Sequence, residues 1–209
     1  MRAPSSLYLI ASQGPYSRLE FLRRVRQSIE GGVDLVQMRE KTLDLEAAED
    51  LAMDLAQVCR EMNVPLVVND NAELAKRIGA DGLHVGQDDL SPKEARQIVG
   101  TGVILGQSTH TWNQVESAMN DPDVDMLGFG PIYETSTKDA GAPKGCSILS
   151  RIGQLKEPKP VWAIGGISLN NMSEVMESGC RRVALSSALM NAQDCLAAAK
   201  QMKSMLERL

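Results

Sequence analysis

Cations, carboxylates and small polar residues recur along this chain in short groups, each following a run of apolar residues. In the first group, Gln37-Met-Arg39-Glu-Lys41, the side chains of Gln37, Arg39 and Lys41 share one side of an extended backbone, because successive side chains alternate. Arg39 offers a planar fork to phosphate oxygens and Lys41 a mobile point charge, so the pair calls for an anion. Lys138, arriving from a later group, would complete a diphosphate cradle. Asn69-Asp70 and Gln87-Asp88-Asp89 follow neighbouring apolar runs, which puts Asp70 and Asp89 within reach of each other. Two facing carboxylates repel unless a cation sits between them. Mg²⁺ takes one or two protein carboxylates and fills its other positions with water and phosphate oxygens, so it is the metal that this pair suits. Taken singly, the same residues read more plainly: Arg-Glu-Lys as a solvated charge run, Asp70 as a helix cap and Asp89 as the start of a turn before Ser91-Pro92.

Further polar groups lie at Gln107-Ser108-Thr109-His110, at Gly130 through Lys138, at Gly165-Gly166 and at Ser186-Ser187. A glycine pair lets an oxyanion approach backbone N–H groups without a Cβ in the way. The two histidines, His84 and His110, could carry protons near neutral pH. His84 lies within an apolar run and reads as a hydrogen-bonded core residue, whereas His110 fits a ligand contact and a loop role equally.

Eight apolar runs place these groups: Leu7–Ile10, Val33–Met38, Pro65–Asn69, Gly82–Val85, Val103–Leu105, Met126–Phe129, Val161–Ile164 and Arg182–Leu185. Most do not alternate, as suits strands buried on both faces. Helical patterns separate them. Ser17 and Glu20 form a candidate capping box before Leu22, Val25 and Ile29; Asp44 can cap a helix with Ala48, Leu51, Leu55 and Val58 on its inner stripe; and Cys195, Ala198, Met202, Met205 and Leu209 mark a last helix. The βα alternation predicts a parallel sheet, and eight units favour a single (β/α)₈ TIM barrel over residues 1–209 rather than an open doubly wound sheet. In such a barrel function gathers where strands end, and every polar group above falls at such an end.

Composition narrows the classes. Apolar residues make up 43% of the 209 and aromatic ones 3%, so an aliphatic interior is expected. A net charge of −5 argues against a nucleic-acid binder, and no stretch approaches the roughly 20 apolar residues of a membrane span. Cys59, Cys146, Cys180 and Cys195 form no metal or redox motif, so a cytoplasmic location with reduced thiols is expected. The expected partners are small molecules; a homodimer is compatible with the sequence, although no residue specifies it.

The segments Gln37-Met-Arg-Glu-Lys41, Val68-Asn-Asp70, Ala80-Asp-Gly-Leu-His-Val-Gly-Gln-Asp-Asp89, Gly106-Gln-Ser-Thr-His110, Gly130-Pro-Ile-Tyr-Glu-Thr-Ser-Thr-Lys138 and Ala163-Ile-Gly-Gly-Ile167 together resemble the thiamine phosphate synthase family, with similarity from Gly32 to Leu189. The resemblance implies a Mg²⁺-dependent transferase that joins hydroxymethylpyrimidine diphosphate to a thiazole phosphate and releases diphosphate. It implies that Gln37, Arg39, Lys41, Asn69 and Lys138 bind the pyrimidine diphosphate, that Asp70 and Asp89 hold Mg²⁺, that Ser108 lies near the pyrimidine, and that Thr135, Thr137, Gly166 and Ser187 serve the thiazole phosphate. Arg39, Lys41, Ser108 and Lys138 are the expected catalytic residues, acting on a dissociative route through a pyrimidine carbocation. Three departures from the family pattern stand out: no Thr-Asp pair follows the first apolar run, Glu134 replaces a usual Pro, and Ser186 replaces a usual aliphatic residue. The alternatives are a thiazole tautomerase on the same barrel, which needs no diphosphate site, and a non-catalytic barrel that binds thiamine intermediates.

Overall fold

A computed structural model describes residues 6–135, 142–156 and 158–207. Eight strands form the sheet: β1 (Leu7–Ala11), β2 (Leu35–Met38), β3 (Leu66–Asn69), β4 (Gly82–Val85), β5 (Ile104–Thr109), β6 (Met126–Phe129), β7 (Val161–Ile164) and β8 (Val183–Leu185). The helices between and after them are α1 (Arg18–Glu30), α2 (Leu45–Glu61), α3 (Ala72–Ile78), α4 (Pro92–Val99), α5 (Trp112–Asn120), α6 (Ser147–Ile152), α7 (Met172–Glu177), α8 (Ser187–Met190) and α9 (Cys195–Glu207). All strand pairs are parallel, and β1 pairs with β8 in the register Leu7↔Val183, Tyr8↔Ala184, Leu9↔Leu185, so the sheet closes on itself. That ladder decides between barrel and open sheet, which alternation alone left undecided.

The strands are fully buried because both faces have a layer to meet. One parity, including Leu7, Leu9, Val36, Leu127, Ala163 and Val183, packs outward against the helices. The other parity, Tyr8, Ile10, Leu35, Val67, Met126, Trp162 and Ala184, closes across the barrel axis as a separate cluster. Tyr8 and Trp162 meet there edge to face, with ring centroids 5.1 Å apart.

Local sequence explains most helix starts. Asp44 accepts the Ala47 N–H at 2.9 Å, as expected. Ser17 caps α1 by accepting the Glu20 N–H, but Glu20 does not complete a capping box: its carboxylate pairs with Arg23 at 2.6 Å and Arg24 at 2.9 Å. Two guanidiniums one turn on outcompete a single backbone N–H. The buried stripe of α9 is Cys195, Ala199, Met202 and Leu206, so the expected Ala198 and Met205 flank it rather than form it, and Leu209 lies outside the described residues. No described helix is long and apolar enough to cross a membrane.

Candidate active site

The polar groups meet at the C-terminal ends of the strands. Arg39 immediately follows β2, where its N–H bonds Ala11 O at 2.8 Å and its carbonyl accepts the Ser12 hydroxyl at 2.6 Å. Two residues on, Lys41 Nζ sits 2.6 Å from Asp70 Oδ2 at the end of β3. Glu40, between the two cations, points away from them and accepts the Gln13 N–H; burial pushes its carboxyl up, with that N–H opposing. The alternation expected for Gln37, Arg39 and Lys41 therefore holds.

Asp70 is not the cap of α3. Asn71 is, through its side-chain Oδ1, which accepts the Leu74 N–H at 2.9 Å. Asp70 instead has φ +62, a left-handed conformation rare outside glycine, held by an N–H bond to His84 O at 2.8 Å. This geometry turns its carboxylate to Lys41 and to Asp89. Burial raises the Asp89 carboxyl's proton affinity, and so do the hydrogen bond and charge of Asp70, whereas the Gly86 N–H and Lys41 lower it. Asp89 also accepts the Gly86 N–H at 2.7 Å, so it closes its own turn while facing Asp70. Its turn-forming reading holds, and the same carboxylate also meets Asp70.

This donor set fits Mg²⁺. Two carboxylates in contact share a single ammonium, which leaves an excess of negative charge suited to a hard dication. Among the described residues no group of three or more His, Cys, Asp or Glu side chains could hold a metal. Mg²⁺ held by such a pair would fill its other positions with water and phosphate oxygens, as it commonly does.

Beside this acidic rim lies a cleft of about 740 Å³, counted out to its open mouth. Arg39, Ser108, His110, Thr135, Gly166, Ser186 and Ser187 contribute to its walls, among Ile10, Ile164, Ile167 and Leu185. The glycine pair is needed for geometry. Gly166 has φ +65, and a Cβ there would stand 2.3 Å from Glu134 O, so the β7 loop packs directly on the β6 loop. Tyr133 reinforces that contact: its N–H bonds Gly165 O at 3.0 Å and its hydroxyl donates to Glu174 on α7 at 2.8 Å. Burial and the Glu174 carboxylate push the Tyr133 phenol well above its ordinary range.

Gln37 is 3% exposed and donates from Nε2 to the Tyr8 hydroxyl at 2.7 Å, inside the barrel below Arg39. Asn69 closes β3 and is half-buried. Of the two histidines, His110 lines the cleft and His84 is buried. His110 bonds the Gly130 carbonyl from Nδ1 at 2.6 Å; a carbonyl only accepts, so Nδ1 carries a proton. Arg39, Lys41, Asp70, Asp89 and Ser108 thus share one rim, together with Asn69, Thr135, Gly166 and Ser187, whereas Gln37 lies beneath it inside the barrel. Thr137 and Lys138 lie outside the described residues. Glu40, Tyr8 and Tyr133 were not singled out from the sequence; only the alternation that turns Glu40 from its neighbours hinted at a role.

A (β/α)₈ barrel with cations, a carboxylate pair and a glycine-lined cleft at one rim defines a class of phosphate-handling enzymes. The thiamine monophosphate synthase family matches residues 7–189. The thiamine-phosphate synthase of Thermus thermophilus is 37% identical over 203 residues, covering 96% of each chain. That of Acidothermus cellulolyticus is 42% identical over 177 residues, covering 84% of this chain and 82% of its own. Among solved structures, the thiamine phosphate pyrophosphorylase of Pyrococcus furiosus superposes with a TM-score of 0.86 at 28% identity, over 97% of this chain and 96% of the other. The chain belongs to the thiamine monophosphate synthase family and is a transferase of thiamine biosynthesis.

Proposed function

We propose that this chain joins an aminopyrimidine diphosphate to a thiazole phosphate, giving thiamine phosphate and diphosphate, with Mg²⁺ held by Asp70 and Asp89. The observation that carries the reading is the paired carboxylates of Asp70 and Asp89 with Lys41 upon them, beside Arg39 at the mouth of the cleft. Arg39, Lys41, Asn69 and Lys138 bind the diphosphate. Charge grows on the diphosphate as its C–O bond breaks, and cations fixed in advance stabilise that charge without reorganisation. Mg²⁺, when bound, adds Lewis-acid neutralisation of the departing oxygens. Gln37 and Ser108 orient the pyrimidine ring, and Thr135, Thr137, Gly166 and Ser187 hold the thiazole phosphate so that its nitrogen faces the carbon losing diphosphate. Alignment of the two rings supplies most of the remaining barrier reduction. The pyrimidine electrons stabilise the carbocation, so no protein nucleophile takes part. Four unbridged cysteines support a reducing, cytoplasmic setting. A homodimer, which the sequence permits, is compatible with this site.

Diphosphate release, followed with each heterocycle alone and with both, in Mg²⁺ and in chelator, tests the reading. Release is expected only when both heterocycles and Mg²⁺ are present. Metal-independent thiazole isomerisation would identify the tautomerase instead, and binding without release a silent barrel.

A further inference from the structure

Ser108 reaches the cleft, yet its hydroxyl is held from behind by a residue that is absent from the cleft wall. His84 is 7% exposed, on the inner face of β4, and its Nε2 shares a hydrogen bond of 3.0 Å with Ser108 Oγ. The imidazole has a built seat. It lies across the inner faces of β5 and β6, where a Cβ on Gly106 would stand 2.4 Å from Nδ1 and one on Gly128 3.3 Å from Cε1. Two strands therefore omit side chains where the ring rests, and Ser108 follows Gly106 by two residues on the same face. The backbone of Ser108 is fixed as well, because Gln87 Nε2 donates to its carbonyl at 2.6 Å.

A serine hydroxyl is a rotor that can donate or accept in several directions. Binding it to a buried, wedged imidazole leaves one orientation toward the cleft. Apolar side chains would fill the barrel at lower cost than an imidazole that needs two glycines to fit, so packing alone does not account for His84. We propose that His84 is a positioning residue that sets the orientation of the Ser108 hydroxyl and thereby the binding of the pyrimidine half of the substrate pair. This inference rests on the proposed function, which gives Ser108 its substrate.

The experiment is a double-mutant cycle on the full chain with Mg²⁺, using H84L, S108A and the double variant, and reading KM for each substrate separately. Losing one oriented hydrogen bond in a shielded site corresponds to a fall of roughly tenfold to a hundredfold in kcat/KM for the pyrimidine diphosphate. Each single variant is expected to show it, the double variant to be no worse than either, and KM for the thiazole phosphate to stay unchanged. H84Q, which keeps a polar atom near the Nε2 position, should recover most of the activity. Additive losses, an equal rise in both KM values, or a folded H84Q as impaired as H84L would overturn the proposal. Should H84L fail to fold, H84N, whose shorter amide does not reach the Nε2 position, takes its place in the cycle with S108A and is judged by the same criterion of additivity. No diphosphate release by the unsubstituted protein would overturn the synthase reading and this inference together; release with additive losses overturns this inference alone.

Discussion

Asp70 combines two demands in one residue: a left-handed backbone and a carboxylate aimed at Lys41 and Asp89. Asparagine tolerates the same backbone as aspartate, so Asp70→Asn removes charge with little added strain. The variant should unfold at nearly the parent's urea midpoint while turnover drops on the order of a hundredfold or more and the Mg²⁺ concentration for half-maximal rate rises. Asp70→Ala should lose turnover similarly and also about 1 kcal/mol of stability, since alanine in that conformation is strained. If Asp70→Asn kept the parent's metal response, the carboxylate would have no part in holding the ion.

At the scale of elements, the strands are short and the polar residues at their ends act as clamps. The Asp34 carboxylate, just before β2, accepts the N–H groups of Ser6 at 3.0 Å and Leu7 at 3.2 Å and pairs with Lys203 of α9 at 2.6 Å. It ties the first strand, the second strand and the last helix at the bottom of the barrel. Asp34→Ala would leave those backbone donors without an acceptor and Lys203 with only the Ser6 hydroxyl and the more distant Glu207, at a cost of about 3 kcal/mol read as lost unfolding free energy in urea. Turnover per folded molecule should be unchanged, because the clamp lies at the opposite end from the rim. β5 shows the complementary effect. The apolar pattern placed its end at Leu105, whereas the strand runs to Thr109 because Ser108 and Thr109 pair with Gly128 and Phe129 and the Thr109 hydroxyl bonds Gly128 O at 3.0 Å. A neighbouring strand, invisible in a local window, supplied those partners.

For the whole molecule, closing the barrel buries groups that could otherwise ionise. Burial pushes the Cys59 thiol of α2 up to about 12, with the Asp81 carboxylate adding to the shift and Arg60 opposing it. An unfolded cysteine releases its proton near pH 8.5. Below that pH both states keep the proton and this group has no effect. Between roughly pH 8.5 and 12 only the unfolded chain gives it up, so stability falls with rising pH by about 1.4 kcal/mol per unit from Cys59. Denaturation free energies measured between pH 9 and 11 should therefore decline, and Cys59→Ala should make that decline shallower by about this amount; an unaltered slope would contradict the assignment.

The sequence by itself determined the alternation of elements, seven strands to within about two residues, and the polar groups that gather at the strand ends. Those features are local: a doubly buried strand needs a continuous apolar run, and charges placed just after such runs end up at strand ends. Only the tertiary structure decided that β1 meets β8, that Asn71 rather than Asp70 caps α3, that Asp70 faces Asp89, and that His84 lies under Ser108. Each of these joins residues whose backbones were brought together by strand register. Register follows from which faces the whole barrel can bury, and no single segment contains that information.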